Sequence, residues 1–344
     1  MAAAPGAGMK KIQGEEVRWG ILGVGDVCEV KSAPAMNLVQ GSRLVAVMRR
    51  NARLAEDYAR RHGVPGWFSD ADALFNSPEV NAIYIATPPD AHHDLSIRAF
   101  AAGKPVYVEK PMARTFAECQ QMITASEATG LPLYVAYYRR TLPHFVRIRE
   151  LLHAGAIGDV RHVRIELNQQ LRPHVVRNLD NNWRVDPAVA GGGYFYDLAS
   201  HQLDFLDFAL GPIRAATGLV ANQAGQYAAE DIVTAAFAFE CGALGSGAWC
   251  FSTGPGSVRD QTTIVGSRGQ IEYASFASGT GCFTLETDDA SKQEFAFELP
   301  GHVQQFLIQA VVDALLGRGS CPSTGVSAAR TNWVMEQICG AAGR

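Results

Sequence analysis

The sequence predicts an α/β protein of two domains, in which a doubly wound parallel sheet is followed by a domain built on an antiparallel sheet. From Val17 to about Ala136, short apolar runs alternate with amphipathic segments of helix length, which is typical of parallel strands joined by helical crossovers. After Arg140, long strand-like runs follow at short, glycine-marked intervals, which indicates antiparallel pairing. A chain of 344 residues can bury two cores. The predicted divisions are a flexible N-terminus at 1–15, a first domain at 16–140 and a second at 141–344.

Six strand-like segments with intervening helices fit a doubly wound sheet in the first domain. One helix can be bounded closely, because Asn51 is a candidate N-cap and Gly63 a candidate C-terminal stop of the segment NARLAEDYARRHG. The predicted strands are VRWGIL, RLVAVM, the short GWF, NAIYIA, KPVYVE and PLYVA.

The second domain begins with the helix HFVRIRELLHAGAIG and ends with the helices VQQFLIQAVVDALLG and AARTNWVMEQIC. In the segment DIVTAAFAFE both faces of the strand are apolar apart from Thr234, so each face needs a cover. That cover is either a second subunit or local helices, and the sequence favours neither. The predicted strands are VRHVRIELNQQ, RAATGLVAN, DIVTAAFAFE, ALGSGAWCFS and DQTTIVGSRGQIEYA.

The composition argues against several classes of protein. A formal charge of −4, with 19% charged and 47% hydrophobic residues, is that of a globular protein rather than a nucleic-acid binder. No apolar run is long enough for a membrane span, and the opening segment lacks the apolar core of a signal peptide. We therefore expect a cytoplasmic protein, with either Met1 or Met9 as its start. Seven scattered cysteines without a CxxC pair are interpreted as free buried thiols.

The segment GILGVGDVC follows an apolar strand and opens a helix, which is the setting of a dinucleotide-binding turn. Gly23 would permit the tight turn, and Gly25 would let a pyrophosphate approach the helix N-terminus beside Asp26 and Val27. Cys28 stands where such turns carry Gly or Ala, and it is only slightly larger than Ala. The alternative is an ordinary turn between a strand and a helix.

Arg49 and Arg50 end the second strand, where a ribose-binding carboxylate is expected about 20 residues after the turn. A guanidinium at that place favours the 2′-phosphate of NADP, with NAD as the alternative cofactor. The alternative interpretation is a pair of solvated arginines.

Two further strands end in polar residues that should face the same crevice, since ligands of open α/β sheets lie beyond the carboxyl ends of the strands. One strand ends at Thr87 and Pro88, and the next ends at Glu109 and Lys110. A lysine at this position can stabilise an alkoxide that develops during hydride transfer. Taken alone, Lys110 would be a surface lysine.

The segment GGGYFYDLASHQLDFLDFALGP predicts a helix that begins near Asp197 and stops at Gly211. Asp197, His201 and Asp204 are spaced i, i+4 and i+7, which places them on one helical face. A histidine there can exchange the proton of a carbonyl/alcohol pair. The three side chains could instead bind a metal, or the histidine could be a core residue.

Together, GILGVGDVC, ATPPDAHH, GKPVYVEKP and GGGYFYDLASHQLD resemble the glucose-fructose oxidoreductase, inositol dehydrogenase and rhizopine-catabolism (Gfo/Idh/MocA) family, over nearly the whole chain from Val17. The resemblance implies an N-terminal Rossmann domain and a C-terminal α+β domain with an open, mostly antiparallel sheet, joined as dimers or tetramers through that sheet. It implies that Lys110 binds nicotinamide ribose and the substrate hydroxyl, and that His201 is the acid/base beside Asp197. It also implies cofactor-side positions for Thr87, Pro88, His92 and Glu109. Arg49, where many NAD-using members keep aspartate, resembles the NADP-preferring branch.

The resulting prediction is an NADP-dependent dehydrogenase or reductase that interconverts a secondary alcohol and a ketone on a sugar, cyclitol or related polyol, without a metal. Arg140, Arg184 and Tyr194 are weaker candidates for substrate contacts. One rival is a regulator or sensor that binds NADP without turnover. A second rival is a metal-dependent lyase or hydrolase that uses Asp197, His201 and Asp204.

Overall fold

The computed structural model describes residues 8–171, 182–276, 279–289 and 291–340. Its contacts divide the chain into two units. The first consists of Met1–Tyr138 and Pro300–Ala329, and the second consists of Arg139–Leu299 and Arg330–Arg344. This division differs from the predicted one, which assigned all of 141–344 to the second domain.

The first unit contains a six-stranded parallel sheet of order β3-β2-β1-β4-β5-β6, which is the doubly wound order. Its central strands are buried on both faces, as their continuous apolar runs predict. The predicted fold class is confirmed in this unit. The strands are β1 Val17–Leu22, β2 Ser42–Met48, β3 Gly66–Phe68, β4 Ala82–Ile85, β5 Val106–Val108 and β6 Leu133–Val135.

Helix boundaries in the first unit follow the capping signals. The Asn51 side chain accepts a hydrogen bond from the Leu54 amide at the start of the third helix, and Gly63 closes it at a positive φ of 63°. Both boundaries agree with the sequence prediction. The helices are α1 Asp26–Val30, α2 Ala33–Met36, α3 Ala52–His62, α4 Ala71–Phe75, α5 His92–Ala101 and α6 Phe116–Thr129.

Two segments of the first unit have a different place in the structure from the one predicted. Residues 1–7 lie outside the described part of the chain, but Lys10 and Ile12 donate backbone hydrogen bonds to Gly130 and Leu315, so the later part of the segment 1–15 is held in place. The segment 300–329 returns to this unit, where Ser323 exchanges hydrogen bonds with the backbone of Val135.

The second unit contains an eight-stranded sheet of order β14-β13-β12-β11-β7-β10-β9-β8. Neighbouring strands are antiparallel except for β7 and β10, which are parallel, so the sheet is mostly antiparallel as predicted. The last two strands were not predicted. The strands are β7 Val160–Asn168, β8 Ile213–Ala221, β9 Ile232–Phe239, β10 Leu244–Cys250, β11 Arg259–Gly266, β12 Gly269–Tyr273, β13 Thr280–Thr287 and β14 Lys292–Glu298.

The two faces of this sheet differ in burial. On β9, Val233, Phe237 and Phe239 are buried, whereas Thr234 and Ala236 on the opposite face are exposed. Leu219 pairs with Thr234 across the β8–β9 ladder and is 76% exposed. Within the described residues, local helices therefore cover only one face of these strands.

The remaining helices all follow β6 in the sequence. No helix of the described residues combines the length and apolar character that a bilayer span requires. These helices are α7 Pro143–His153, α8 Pro187–Ala190, α9 Ser200–Leu210, α10 Gln305–Leu315 and α11 Gly325–Gly340.

Candidate active site

The first group of candidate residues lies at the carboxyl edge of the parallel sheet. Gly23 follows β1, Arg49 follows β2, Thr87 follows β4, and Glu109 and Lys110 follow β5. Because all these strands are parallel, their carboxyl ends meet at one edge. The structure thus brings these predicted residues to the same edge of the first unit.

The glycine turn is shaped by two different requirements. Gly23 has a φ of 87°, and a Cβ there would lie 2.7 Å from Thr87 Cγ2, so neither the backbone angle nor the space admits a side chain. Gly25 has an extended backbone, and a Cβ built on it meets nothing within 4 Å. Space is therefore open in front of Gly25, where α1 begins with Asp26 and Val27.

Cys28 packs behind this turn. Its side chain is fully buried beside Ser32, and burial raises the pKa of the thiol to about 12. A thiol with so high a pKa stays protonated and unreactive at neutral pH. This supports the interpretation of Cys28 as a packing residue.

Arg49 reaches back toward the turn. Its Nη1 donates to the carbonyl oxygen of Val24 at 3.3 Å, and its side chain remains exposed, as does that of Arg50. A guanidinium held at the rim of the glycine turn is suitably placed for a phosphate group.

His92 is buried and contacts two neighbouring loops, so its ring is not open to a bound ligand. Its Nε2 lies 2.8 Å from the Thr87 carbonyl oxygen, and its Nδ1 lies 3.1 Å from that of Pro111. Burial lowers the pKa of His92, and the neutral ring has a single N–H, so it donates to one of these two oxygens and packs against the other. The histidine therefore links the Thr87–Pro88 loop to the loop after Lys110.

Glu109 is also buried, and three neutral groups donate to its carboxylate. The Tyr84 hydroxyl and the Gln304 amide donate to Oε1 at 2.5 Å and 2.6 Å. The Lys110 backbone N–H donates to Oε2 at 3.2 Å. The Lys110 side chain is half-buried. Glu109 thus occupies the interior of the sheet edge and holds the backbone of the neighbouring lysine.

The second group of candidate residues lies in the second unit, where the helix begins earlier than predicted. A π-helical turn, Phe195–Ala199, precedes α9. Asp197 is in this turn and His201 is in the first turn of α9. A π-turn alters the angular offset between successive side chains, so a single ideal helical face does not describe this segment. Such turns are frequent at functional sites.

The glycines before this turn are needed mainly for packing. Gly191 has a positive φ of 85°. A Cβ on Gly192 would overlap the Tyr196 ring, and one on Gly193 would lie 2.8 Å from the Glu230 carbonyl oxygen. The positive φ therefore accounts for Gly191, and the close approach of Tyr196 and Glu230 accounts for Gly192 and Gly193.

Asp197 pairs with Arg184, whose Nε lies 3.2 Å from Oδ2. Both side chains retain some exposure, at 13% for Asp197 and 23% for Arg184. The His201 ring is 4% exposed and packs edge-on against Phe276. The predicted pair of Asp197 and His201 thus lies in a largely buried setting with a cation on its carboxylate.

Asp204 and Arg140 form a buried ion pair. The guanidinium donates to both carboxylate oxygens, at 2.9 Å and 2.6 Å, and each side chain is 1% exposed. Asp204 is thereby committed to Arg140, which removes one ligand from the alternative metal site. Among the described residues, no three His, Cys, Asp or Glu side chains group closely enough to hold a metal ion.

Two of the predicted substrate contacts are buried. Arg140 is engaged by Asp204, and Tyr194 is 1% exposed with its hydroxyl accepting from Asn182. Arg184 keeps an exposed portion. The substrate contacts of all three residues stay predictions.

Comparison with known proteins identifies the family. Residues 17–137 match the model of an oxidoreductase family with an NAD-binding Rossmann fold. Residues 145–272 match the model of the GFO/IDH/MocA C-terminal domain. The chain belongs to the Gfo/Idh/MocA family. Family membership makes it an NAD(P)-binding oxidoreductase, as predicted.

Family relatives match over most of the chain. Oxidoreductase P35 of Formosa agariphila is 37% identical over 324 residues, covering 94% of this chain and 98% of the relative. The 1,5-anhydro-D-fructose reductase of Ensifer adhaerens is 27% identical and covers 90% of this chain and 91% of its own. The structure of levoglucosan dehydrogenase with NADH and levoglucosan has a TM-score of 0.84 at 21% identity, covering 95% and 97% of the two chains. The last similarity demonstrates a shared fold.

Sequence reasoning missed Tyr84 and Gln304. Tyr84 is a polar residue in an otherwise apolar strand, which is a weak signal of a buried hydrogen bond. Gln304 lies 195 residues after its partner Glu109, and no local pattern connects them.

Proposed function

We propose that the chain is an NADP-dependent oxidoreductase that interconverts a secondary alcohol and a ketone on a sugar, cyclitol or related polyol. The observation that carries this proposal is the edge of the parallel sheet, where the glycine turn, Arg49 and Lys110 follow neighbouring strands. The names of two relatives, 1,5-anhydro-D-fructose reductase and levoglucosan dehydrogenase, support a carbohydrate-like substrate.

The residues at this edge fit a dinucleotide. The open space in front of Gly25 admits a pyrophosphate close to the backbone, and Arg49 offers a cation for a 2′-phosphate. When bound, the nicotinamide would supply or accept the hydride. The residues proposed to hold the cofactor are Gly23, Gly25, Asp26, Val27, Arg49, Arg50, Thr87, Pro88 and Lys110, with His92 and Glu109 supporting them from behind.

The protein's own groups would handle the proton and the oxygen. His201 exchanges the proton of the substrate hydroxyl, and the Lys110 ammonium stabilises negative charge on that oxygen. Asp197 orients the polar groups around His201, and Arg184 holds Asp197 in place.

The catalytic roles are tested by assaying the variants Lys110→Met and His201→Asn against a panel of sugars and polyols. Turnover is followed by nicotinamide absorbance. Matched controls are Lys104→Met, two residues before β5, and His153→Asn on α7. We expect turnover to fall about 10²- to 10⁴-fold in the first two variants, while NADP binding survives. Unchanged turnover in both would refute the assignment. NADP binding by wild-type protein without turnover of any compound would favour the sensor instead.

The cofactor preference is tested with Arg49→Asp, and Arg43→Asp at the other end of β2 is the control. Loss of a charge-assisted contact should weaken NADP binding about 10- to 100-fold and leave NAD binding little changed. Tighter binding of NAD than of NADP by the wild-type protein would contradict the role of Arg49.

We also propose that the exposed face of the second-unit sheet joins two or more copies of the chain. Leu219 and Leu244 are 76% and 59% exposed on this face, beside small side chains of β9. Leu219→Lys should lower the mass measured by light scattering, whereas Leu38→Lys, at an exposed leucine of the first unit, should not. A monomeric wild-type protein would contradict the proposal.

A further inference from the structure

The strongest unexplained feature of the first unit is the buried amide of Gln304. This residue is 1% exposed and precedes α10, on the segment that returns to the first unit. Its side chain contacts the carboxylate beside Lys110, although no sequence motif includes it.

The hydrogen bonds fix the orientation of this amide. Gln304 Nε2 donates to Glu109 Oε1 at 2.6 Å, because a carboxylate only accepts and a flipped amide would place an oxygen against it. The other end of the amide, Oε1, accepts from the Tyr107 hydroxyl at 2.8 Å. The Glu109 carboxylate therefore fixes the orientation of the amide and makes Gln304 a donor toward it.

The segment that carries Gln304 is anchored at the end of the glycine-turn helix. His302 Nδ1 lies 2.7 Å from the Val30 carbonyl oxygen, and the Gln304 backbone N–H donates to Lys31 O at 3.4 Å. The same short segment thus contacts α1 and the end of β5.

We infer that Gln304 is a positioning residue for Lys110, which it holds in place through the Glu109 carboxylate. Glu109 accepts from Gln304 on Oε1 and from the Lys110 backbone N–H on Oε2, so a shift of the carboxylate shifts the attachment of the lysine. This inference rests on the proposed function for its effect on turnover. The contact between Gln304 and Glu109 can be tested without turnover.

The substitution Gln304→Glu gives the inference a specific signature. It keeps the shape and the acceptor for Tyr107, but it can donate to Glu109 only when the two carboxyl groups share a proton. A shared proton is lost as the pH rises, so the variant should resemble the wild type at low pH and lose the contact at high pH. Gln304→Leu removes the donor at every pH.

The other titratable groups around Glu109 would not produce this pH dependence. Burial raises the pKa of Tyr84, Tyr107 and Cys28, and it lowers that of His92, so all four stay neutral between about pH 7 and 9. Lys110 is present in every variant, so each rate is taken relative to that of the wild type at the same pH.

The first experiment measures the rate at which acetic anhydride acetylates Lys110 in the free protein, with Lys104, which lies two residues before β5, as the internal reference. We expect the Lys110 rate to change at least three-fold in Gln304→Leu at pH 7 and pH 9, and to change more at pH 9 than at pH 7 in Gln304→Glu. Gln309→Glu, the same change on α10 at a side chain that bonds to Gln40, should match the wild type. Equal Lys110 rates in all proteins, or equal changes at both lysines, would overturn the inference.

The second experiment measures kcat and KM with the substrate found in the panel. Misplacement of a catalytic group commonly costs about 10- to 100-fold in rate. We expect kcat to fall by this factor in Gln304→Leu at both pH values, and to fall more at pH 9 than at pH 7 in Gln304→Glu, with the affinity for NADP within about three-fold. A pH-independent loss in Gln304→Glu would indicate a purely structural role. If the wild type turns over nothing, the proposed function fails, and the acetylation experiment still decides whether Gln304 positions Lys110.

Discussion

The two units stabilise a buried carboxylate in different ways. In the first unit, Glu109 accepts hydrogen bonds from a phenol, an amide and a backbone N–H. In the second unit, Asp204 accepts two hydrogen bonds from the guanidinium of Arg140. On the same helix, Asp207 pairs with Arg330. Neutral donors are used beside the proposed catalytic lysine, and direct ion pairs are used to anchor α9.

The two carboxylates should therefore respond differently when one of their hydrogen-bond partners is removed. Removing one member of a buried ion pair leaves an uncompensated charge, which mainly destabilises the fold. Removing one neutral donor leaves a smaller energetic deficit but lets the carboxylate move. We therefore expect changes at Asp204 to act on stability and changes at Glu109 to act on turnover.

The largest effect is expected for Asp204→Asn, which leaves the Arg140 guanidinium buried without its counter-ion. The free energy of unfolding should fall by about 3–5 kcal/mol, as measured by urea denaturation. Asp159→Asn is the control, because Asp159 is 82% exposed and pairs with an exposed Arg161. If Asp204→Asn lowers the free energy of unfolding no more than the control does, the Asp204–Arg140 pair contributes little to stability. The contrast with Glu109 would then not hold.

A second expectation concerns His144, which is buried in the second unit beside Arg139. Burial and this neighbouring cation lower the pKa of His144 from 6.5 to about 4. Between about pH 6.5 and pH 4, His144 is protonated in the unfolded chain but neutral in the folded protein. The free energy of unfolding therefore decreases as the pH falls through this range. The loss amounts to roughly 3 kcal/mol in the free energy of unfolding.

The measurement compares denaturation of the wild type and of His144→Leu at pH 7 and at pH 4. Other groups titrate in this range, so the difference between the two proteins isolates His144. The wild type should lose more stability than the variant on acidification. Parallel pH dependences would show that the second unit tolerates a protonated His144 without a carboxylate partner.

The sequence predicted best what depends on local pattern. Buried strands, the caps of α3 and the glycine turn follow from periodicity and from the chemistry of single residues, and the structure has them where predicted. The last two strands, β13 and β14, were missed because polar or small residues separate their few apolar ones. On β13 every second residue from Gly281 to Leu285 is buried, whereas β14 has no buried residue.

Interactions between distant segments could not be read in the same way. Asp204 and Arg140 both belong to recognisable segments, but nothing local shows that they pair rather than bind a metal or a substrate. Gln304 and Glu109 lie 195 residues apart in the sequence. Such contacts depend on tertiary packing, so local sequence patterns do not predict them.

The smallest effect on stability is expected for Glu109→Gln, and it distinguishes the two units most directly. The amide keeps one acceptor but turns an NH₂ group toward partners that are themselves donors, so one hydrogen bond is lost and no charge is left unpaired. The free energy of unfolding should fall by only about 1 kcal/mol. Turnover should nevertheless fall at least about ten-fold, because the backbone of Lys110 loses its fixed acceptor. Urea denaturation and kcat measured on the same preparation test both parts. A loss of stability comparable to that of Asp204→Asn, with kcat unchanged, would mean that Glu109 anchors the fold just as Asp204 does and that Lys110 does not depend on it.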